Sequence, residues 1–212
     1  MTPKLAQAVD PILMQVLDLL HRIERGEDCT PQDERIQIIA MFEQAGAMFG
    51  GGEEWELCRY ALVAWIDEML VESSWSGQSW WSNHVLEVEM FNTRLCNEQF
   101  FVRSQEAARL SHREVLEVYY VCVMLGFRGF YRDENSANIL ADTLQLPQDL
   151  ETWSKQTAMS IRLGQGRPAL GRPGPEIRGA SPQGSVSVMI WSCFAVVVLT
   201  ILNGIFFFSI FG

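Results

Sequence analysis

The residues of this 212-residue chain best placed to do chemistry are Asp67, Glu68 and Glu72, acids set in an otherwise apolar stretch. Two carboxylates can divide acid and base work when their surroundings separate their pKa values. Neighbouring helical residues, however, point about 100° apart, so Asp67 and Glu68 make a poor catalytic pair. What remains is either a solvated helix edge or an acidic patch that binds a partner. The three histidines, His21, His84 and His112, form no dense ligand cluster. His84 and Glu87 share helix-face spacing, but a lone His–Glu pair is more often a surface contact than a metal site. There is no HExxH and no GxSxG, and the Gly-Gln-Gly at 164–166 follows no strand and precedes no GK[ST]. The chain is therefore expected to be no enzyme and to hold neither metal nor cofactor.

Charge narrows the partners. The formal net charge of -10 argues against nucleic acid, because phosphate binding needs a basic surface. The five cysteines are scattered, with no CxxC pair. That pattern fits reduced, mostly buried thiols rather than a disulfide framework. Five of the seven tryptophans lie between Trp55 and Trp81. Most are expected in the core, because Trp buries a large area, but the Trp80-Trp81 pair in a Ser-rich loop could instead be an exposed binding anchor.

The elements that must position these residues read as helices throughout. Leu5, Val9, Ile12, Leu13, Val16, Leu17, Leu20 and Ile23 recur at three and four and define an amphipathic first helix ended by Gly26. Thr30 is placed as N-cap and Pro31 as first residue of a second helix, with Ile36, Ile39, Ala40, Ala47 and Met48 facing inward. Gly50-Gly51-Gly52 breaks the chain before a heavily apolar, central helix from about Glu53 to Glu72. A fourth helix is expected over roughly Leu86–Asn97. Ser111-His112-Arg113-Glu114 resembles a capping box opening a fifth that runs to Leu125, with shorter helices near Ser136–Leu144 and Gln148–Thr157. No stretch alternates as a strand would. The fold class is all-α, with connections short enough for a bundle.

Beyond the helices, repeated Gly and Pro make residues 161–184 a linker. Its arginines can rest on anionic headgroups, so membrane lipid is an expected partner. From Gly179 to Gly212 no Asp, Glu, Lys, Arg or His occurs, and Val186 to Phe211 is broken only by Ser, Thr, Asn and Gly. A bilayer core of roughly 30 Å needs about 20 apolar residues in a helix, so residues 185–212 are expected to be a C-terminal transmembrane anchor. Arg162, Arg167, Arg172 and Arg178 before the span place residues 1–160 in the cytoplasm as one helical domain. Lys4, Asp10 and Asp18 would interrupt a signal peptide. Within the anchor, Trp191 and Asn203 are the candidate anchoring and oligomerisation residues. Asn203 is costly in hydrocarbon unless bonded across a helix interface, which suggests a homodimer, or unless it lies wet at the far headgroups.

An ordered set of segments resembles the DotU family, which includes the TssL inner-membrane subunit of type VI secretion systems and its type IVB counterpart, IcmH. The set comprises Tyr60-Ala61-Leu62-Val63-Ala64-Trp65-Ile66-Asp67-Glu68, Trp75, Trp80-Trp81, Leu86-Glu87, Phe91-Asn92, Glu98-Gln99-Phe100-Phe101, and the run from Leu116 through Gly126-Phe127-Arg128-Gly129-Phe130-Tyr131. Asn97 stands where the family usually has a small residue, and Phe130 where it commonly has a basic one. The resemblance implies two small helical bundles forming a hook with a cleft. It also implies a membrane complex with an IcmF/TssM-like protein and contact with cytoplasmic baseplate proteins. Type VI is favoured over type IVB as the larger branch, and a peptidoglycan-binding extension is not expected. An unrelated tail-anchored adaptor would share the topology without the ordered motifs. Asp67 and Glu68 match the family's acidic pair and, with Glu72, Trp80 and Trp81, are the candidate protein-binding residues. On this view Asp67→Lys with Glu68→Lys should fold but lose baseplate recruitment.

Overall fold

The computed structural model describes residues 1–164; the anchor with Trp191 and Asn203, Cys193 and nearly all of the linker lie outside the described residues. Within them the chain is helical, without a strand. The helices are α1 (Pro3–Glu24), α2 (Pro31–Phe49), α3 (Glu53–Glu72), α4 (Gln78–Asn83), α5 (Leu86–Phe91), α6 (Cys96–Ala107), α7 (Glu114–Met124), α8 (Glu134–Leu144) and α9 (Leu150–Gly164), with a 3₁₀ turn at Gly129–Arg132 before α8. None of them is long and apolar enough to cross a membrane.

Helix α1 starts where Thr2 accepts the Leu5 amide and Pro3 needs no partner for a missing N–H. It stops before Gly26, whose φ of 72° is the left-handed conformation that glycine adopts freely. Its buried stripe includes Leu5, Val9, Ile12, Leu13, Val16 and Ile23, with Leu19 buried where Leu17 and Leu20 are only half-buried. Helix α2 packs against it, but on a different face from the one expected. Glu34, Ile38, Phe42 and Ala45 point inward, whereas Ile36 and Met48 are 65% and 48% exposed and Ala40 and Ala47 are exposed too. The apolar run from Ile36 to Phe42 supports more than one stripe, and packing against α1 selects the one containing Ile38. Thr30 makes no side-chain cap bond, so Pro31 alone marks the start.

Helix α3 is the axis of the described helices, touching α1, α2 and each of α4 to α7. Thirteen of its twenty residues are buried, so almost every face is covered. Three glutamates in its first turn complement the helix dipole. The expected single helix over Leu86–Asn97 is in fact two, because Asn92 turns left-handed at φ 51° and ends α5. Helix α7 begins at Glu114, two residues later than a capping box at Ser111 would place it; its N-cap position is Arg113, no side chain caps it, and Ser111 plays no such part. Beside α3 an aromatic cluster joins α6, α7 and α9: Phe100 lies 4.9 Å from Tyr119 of α7 and 4.0 Å from Phe127 just beyond it, and Phe101 lies 5.3 Å from Trp153, centroid to centroid. Phe130 is buried against Phe101 and Tyr131, so this departure from the family pattern enlarges the core rather than the surface. Truncating a ring such as Phe101 would cost about 3–5 kcal/mol.

Candidate functional site

Asp67 and Glu68 leave α3 in different directions, and each ends on a different neighbour. One oxygen of Asp67 accepts the Trp81 indole N–H at 3.0 Å and the Leu86 amide at 2.8 Å; the other accepts the Glu87 amide at 2.8 Å. Those two amides belong to the start of α5, where N–H groups have no partner within the helix. The carboxylate is 3% exposed. Burial pushes its pKa up to about 6, against the opposite pull of the amides and the indole.

Glu68 reaches the other way. It accepts the Arg128 amide at 2.8 Å, the Gly129 amide at 2.9 Å and the Arg132 guanidinium at 2.7 Å. Gly129 has φ 52°, and a Cβ there would sit 2.7 Å from the Asn97 carbonyl oxygen. Only glycine brings this amide onto Glu68 without displacing the start of α6. Glu72, one turn further along α3, pairs with the same Arg132 but remains about half exposed.

A third buried acid escapes the reading of the acidic cluster. Glu87, 1% exposed, accepts the Tyr60 hydroxyl and the Thr93 hydroxyl at 2.8 Å, and the Leu95 and Cys96 amides at 3.0 and 3.1 Å. It therefore closes the turn that leads from α5 into α6. Burial first, and then the Glu87 carboxylate, hold the Tyr60 hydroxyl far above its ordinary pKa. The only sequence signal for Glu87 is its place in the Leu86-Glu87 segment of the family resemblance. Its helix-face spacing from His84 leads elsewhere, because His84 stacks on Trp80 at 4.2 Å and bonds the Trp80 carbonyl. Among the described residues no three of His, Cys, Asp and Glu gather as metal ligands.

The solvated-edge alternative for Asp67 and Glu68 is thereby overturned, since both are buried and bonded. Their burial also argues against the expectation that their double replacement by lysine would fold: two ammonium groups would face amide donors at positions only 3% and 8% exposed. Trp81 is fully buried on Asp67 and presents no surface. Trp80 is half-buried beside it.

Between the two carboxylate-held segments runs a cleft, formed by adjoining hollows of about 270 and 300 Å³ that meet at Glu68, Glu72 and Asn97. Glu98, Asp133 and Arg132 line one side, and Ser82, Val85 and Arg94 the other. A larger hollow of about 480 Å³ lies elsewhere, beside Gly51 and Gly52 at the start of α3, away from all three buried acids. The buried carboxylates of the cleft spend their lone pairs on N–H and O–H donors, so they shape it. Its accessible groups are Glu72, Glu98, Asp133 and the two arginines, which suit ionic recognition of another molecule.

These features define a helical structural module whose cleft is braced from beneath by acids. The chain belongs to the DotU family of type VI secretion system proteins, whose sequence profile matches residues 4–211. The solved cytoplasmic domain of TssL from Acinetobacter baumannii shares the fold, with a TM-score of 0.55 and 22% identity over 72% of this chain and 96% of that one. No curated protein matches the chain significantly.

Proposed function

We propose that this chain is a structural subunit of a type VI secretion membrane complex, bridging an IcmF/TssM-like inner-membrane protein and the cytoplasmic baseplate. The observation that carries this reading is the family match over residues 4–211, which takes in both the helical domain and the apolar C-terminal run. In this reading residues 185–212 hold the protein in the inner membrane as a single-pass anchor, with Trp191 and the linker arginines at the lipid. The helical domain, two small bundles about the cleft, stays in the cytoplasm. Asn203 supports a homodimer through the anchor. The cleft is the docking surface: Glu72 stands at its accessible edge, Asp67, Glu68 and Trp81 act from below, and Trp80, half-buried beside Trp81, is offered to the partner next to it.

Crosslinking of the full-length protein in native membranes, followed by pull-down and mass spectrometry, tests the proposal. Recovery of an IcmF-like protein together with baseplate components is expected. Recovery of type IVB components would move the subunit to that system, and recovery of neither, from membranes expressing the secretion system, would refute the role.

A further inference from the structure

The two adjacent acids of α3 are bonded to opposite sides of the cleft. Asp67 is tied to Trp81, Leu86 and Glu87, which belong to α4 and α5. Glu68 is tied to Arg128, at the N-cap of the 3₁₀ turn leading into α8, and to Gly129 and Arg132 within that turn. No donor is shared between the two sets, and Glu72 and Asn97 line the cleft on both sides of the divide. Because consecutive helical side chains diverge by about 100°, one rigid helix can grip two separate walls through neighbouring residues. The α3 backbone there is fully buried on its apolar side, with Ala64, Trp65, Ile66 and Leu70 all at 0% exposure, so the grip is anchored. The bonds are charge-assisted N–H contacts to helix and turn starts, stronger than neutral ones and specific in direction.

We infer that Asp67 and Glu68 are positioning residues that set the two walls of the cleft independently, Asp67 the α4–α5 wall and Glu68 the 3₁₀–α8 wall, and that a partner is contacted by the accessible acids Glu72 and Glu98. The first half stands on geometry alone; the second rests on the docking role proposed above. Glu87 extends the Asp67 wall by one step, since the residue whose amide Asp67 holds is itself the acceptor for the start of α6. The acidic pair thus governs recognition without touching the partner. Neutralising either member changes the shape presented to the partner and leaves its accessible charge unaltered.

Amide hydrogen exchange, read at residue resolution on the full-length protein in detergent at neutral pH, separates the walls. In Asp67→Asn the amides of Leu86 and Glu87 should exchange at least tenfold faster while Arg128 and Gly129 keep wild-type protection. Glu68→Gln should show the reverse. Loss of protection at both pairs in either variant, or at neither, would overturn independent control. Should Asp67→Asn fail to fold, Trp81→Phe removes one tie of the same wall. Arg132→Gln, at a half-exposed residue, does the same for the other, and each is held to the same one-sided pattern. Glu72→Gln with Glu98→Gln should leave all four amides unchanged yet lower crosslinked baseplate recovery several-fold; unchanged recovery would overturn the contact assignment. If the wild-type protein recovers no baseplate component, the docking role falls, while the exchange pattern still decides the positioning claim.

Discussion

In the α1–α2 hairpin the buried acid is Glu34, and it meets a cation: the Arg22 guanidinium bonds it at 2.9 Å and also reaches Asp18 on its own helix. Around α3 the buried acids Asp67 and Glu87 meet no cation, and amides, an indole and hydroxyls hold them instead. The hairpin acid closes a contact between two helices that their apolar stripes already align. The cleft acids fix where short helices begin, a task that hydrophobic burial does not specify because it has no direction. A buried anion without a counter-charge is expensive, and here that expense goes into the shape of the cleft rather than into stability.

The largest expected effect breaks the cleft side outright. Asp67→Lys with Glu68→Lys should abolish the cooperative thermal unfolding transition seen by circular dichroism, since the loss exceeds about 5 kcal/mol. A folded double variant would mean that the acids do not brace the cleft.

A middle effect is set by pH. Burial raises Asp67 from 3.8 to about 6, so the native state binds its proton more tightly than the unfolded chain does. The stability contributed by Asp67 is then fully present below about pH 4 and is lost as pH rises through about 6, by roughly 3 kcal/mol at most. Asp67→Asn cannot titrate at this site. The advantage of wild type over that variant in urea unfolding should therefore shrink between about pH 4 and pH 6.5, and a widening gap would show that the amides outweigh burial.

The smallest effect belongs to the hairpin. Arg22→Gln should cost about 1–2 kcal/mol in the same assay, because the Arg22 site is a quarter exposed and water can replace the guanidinium. A loss as large as that at Asp67 would erase the contrast between the two regions.

Much of this fold was legible from residue pattern. Gly26 and Pro31 mark a helix end and start through backbone geometry alone, and the central helix runs from Glu53 to Glu72 as its continuous apolar content suggested. The inward face of α2 was not legible, since Ile36, Ile38 and Ile39 offer rival stripes that only packing against α1 resolves. The split at Asn92 was hidden too, because the turn after it is closed by Glu87, which bonds Leu95 and Cys96. The acidic cluster was visible, but its burial was not. A charge reads as surface until the N–H donors that hold it have been located, and those on Glu68 lie about sixty residues away along the chain.

The central claim is that this protein joins the membrane complex to the baseplate through the cleft. Mapping of crosslinked residues in the pull-down from native membranes tests it most directly. Baseplate crosslinks concentrated on the rim of the cleft, in α6 near Glu98 and in α8, are predicted. Baseplate crosslinks confined to the outer face of the α1–α2 hairpin, around Met14 and Ile36, would contradict it.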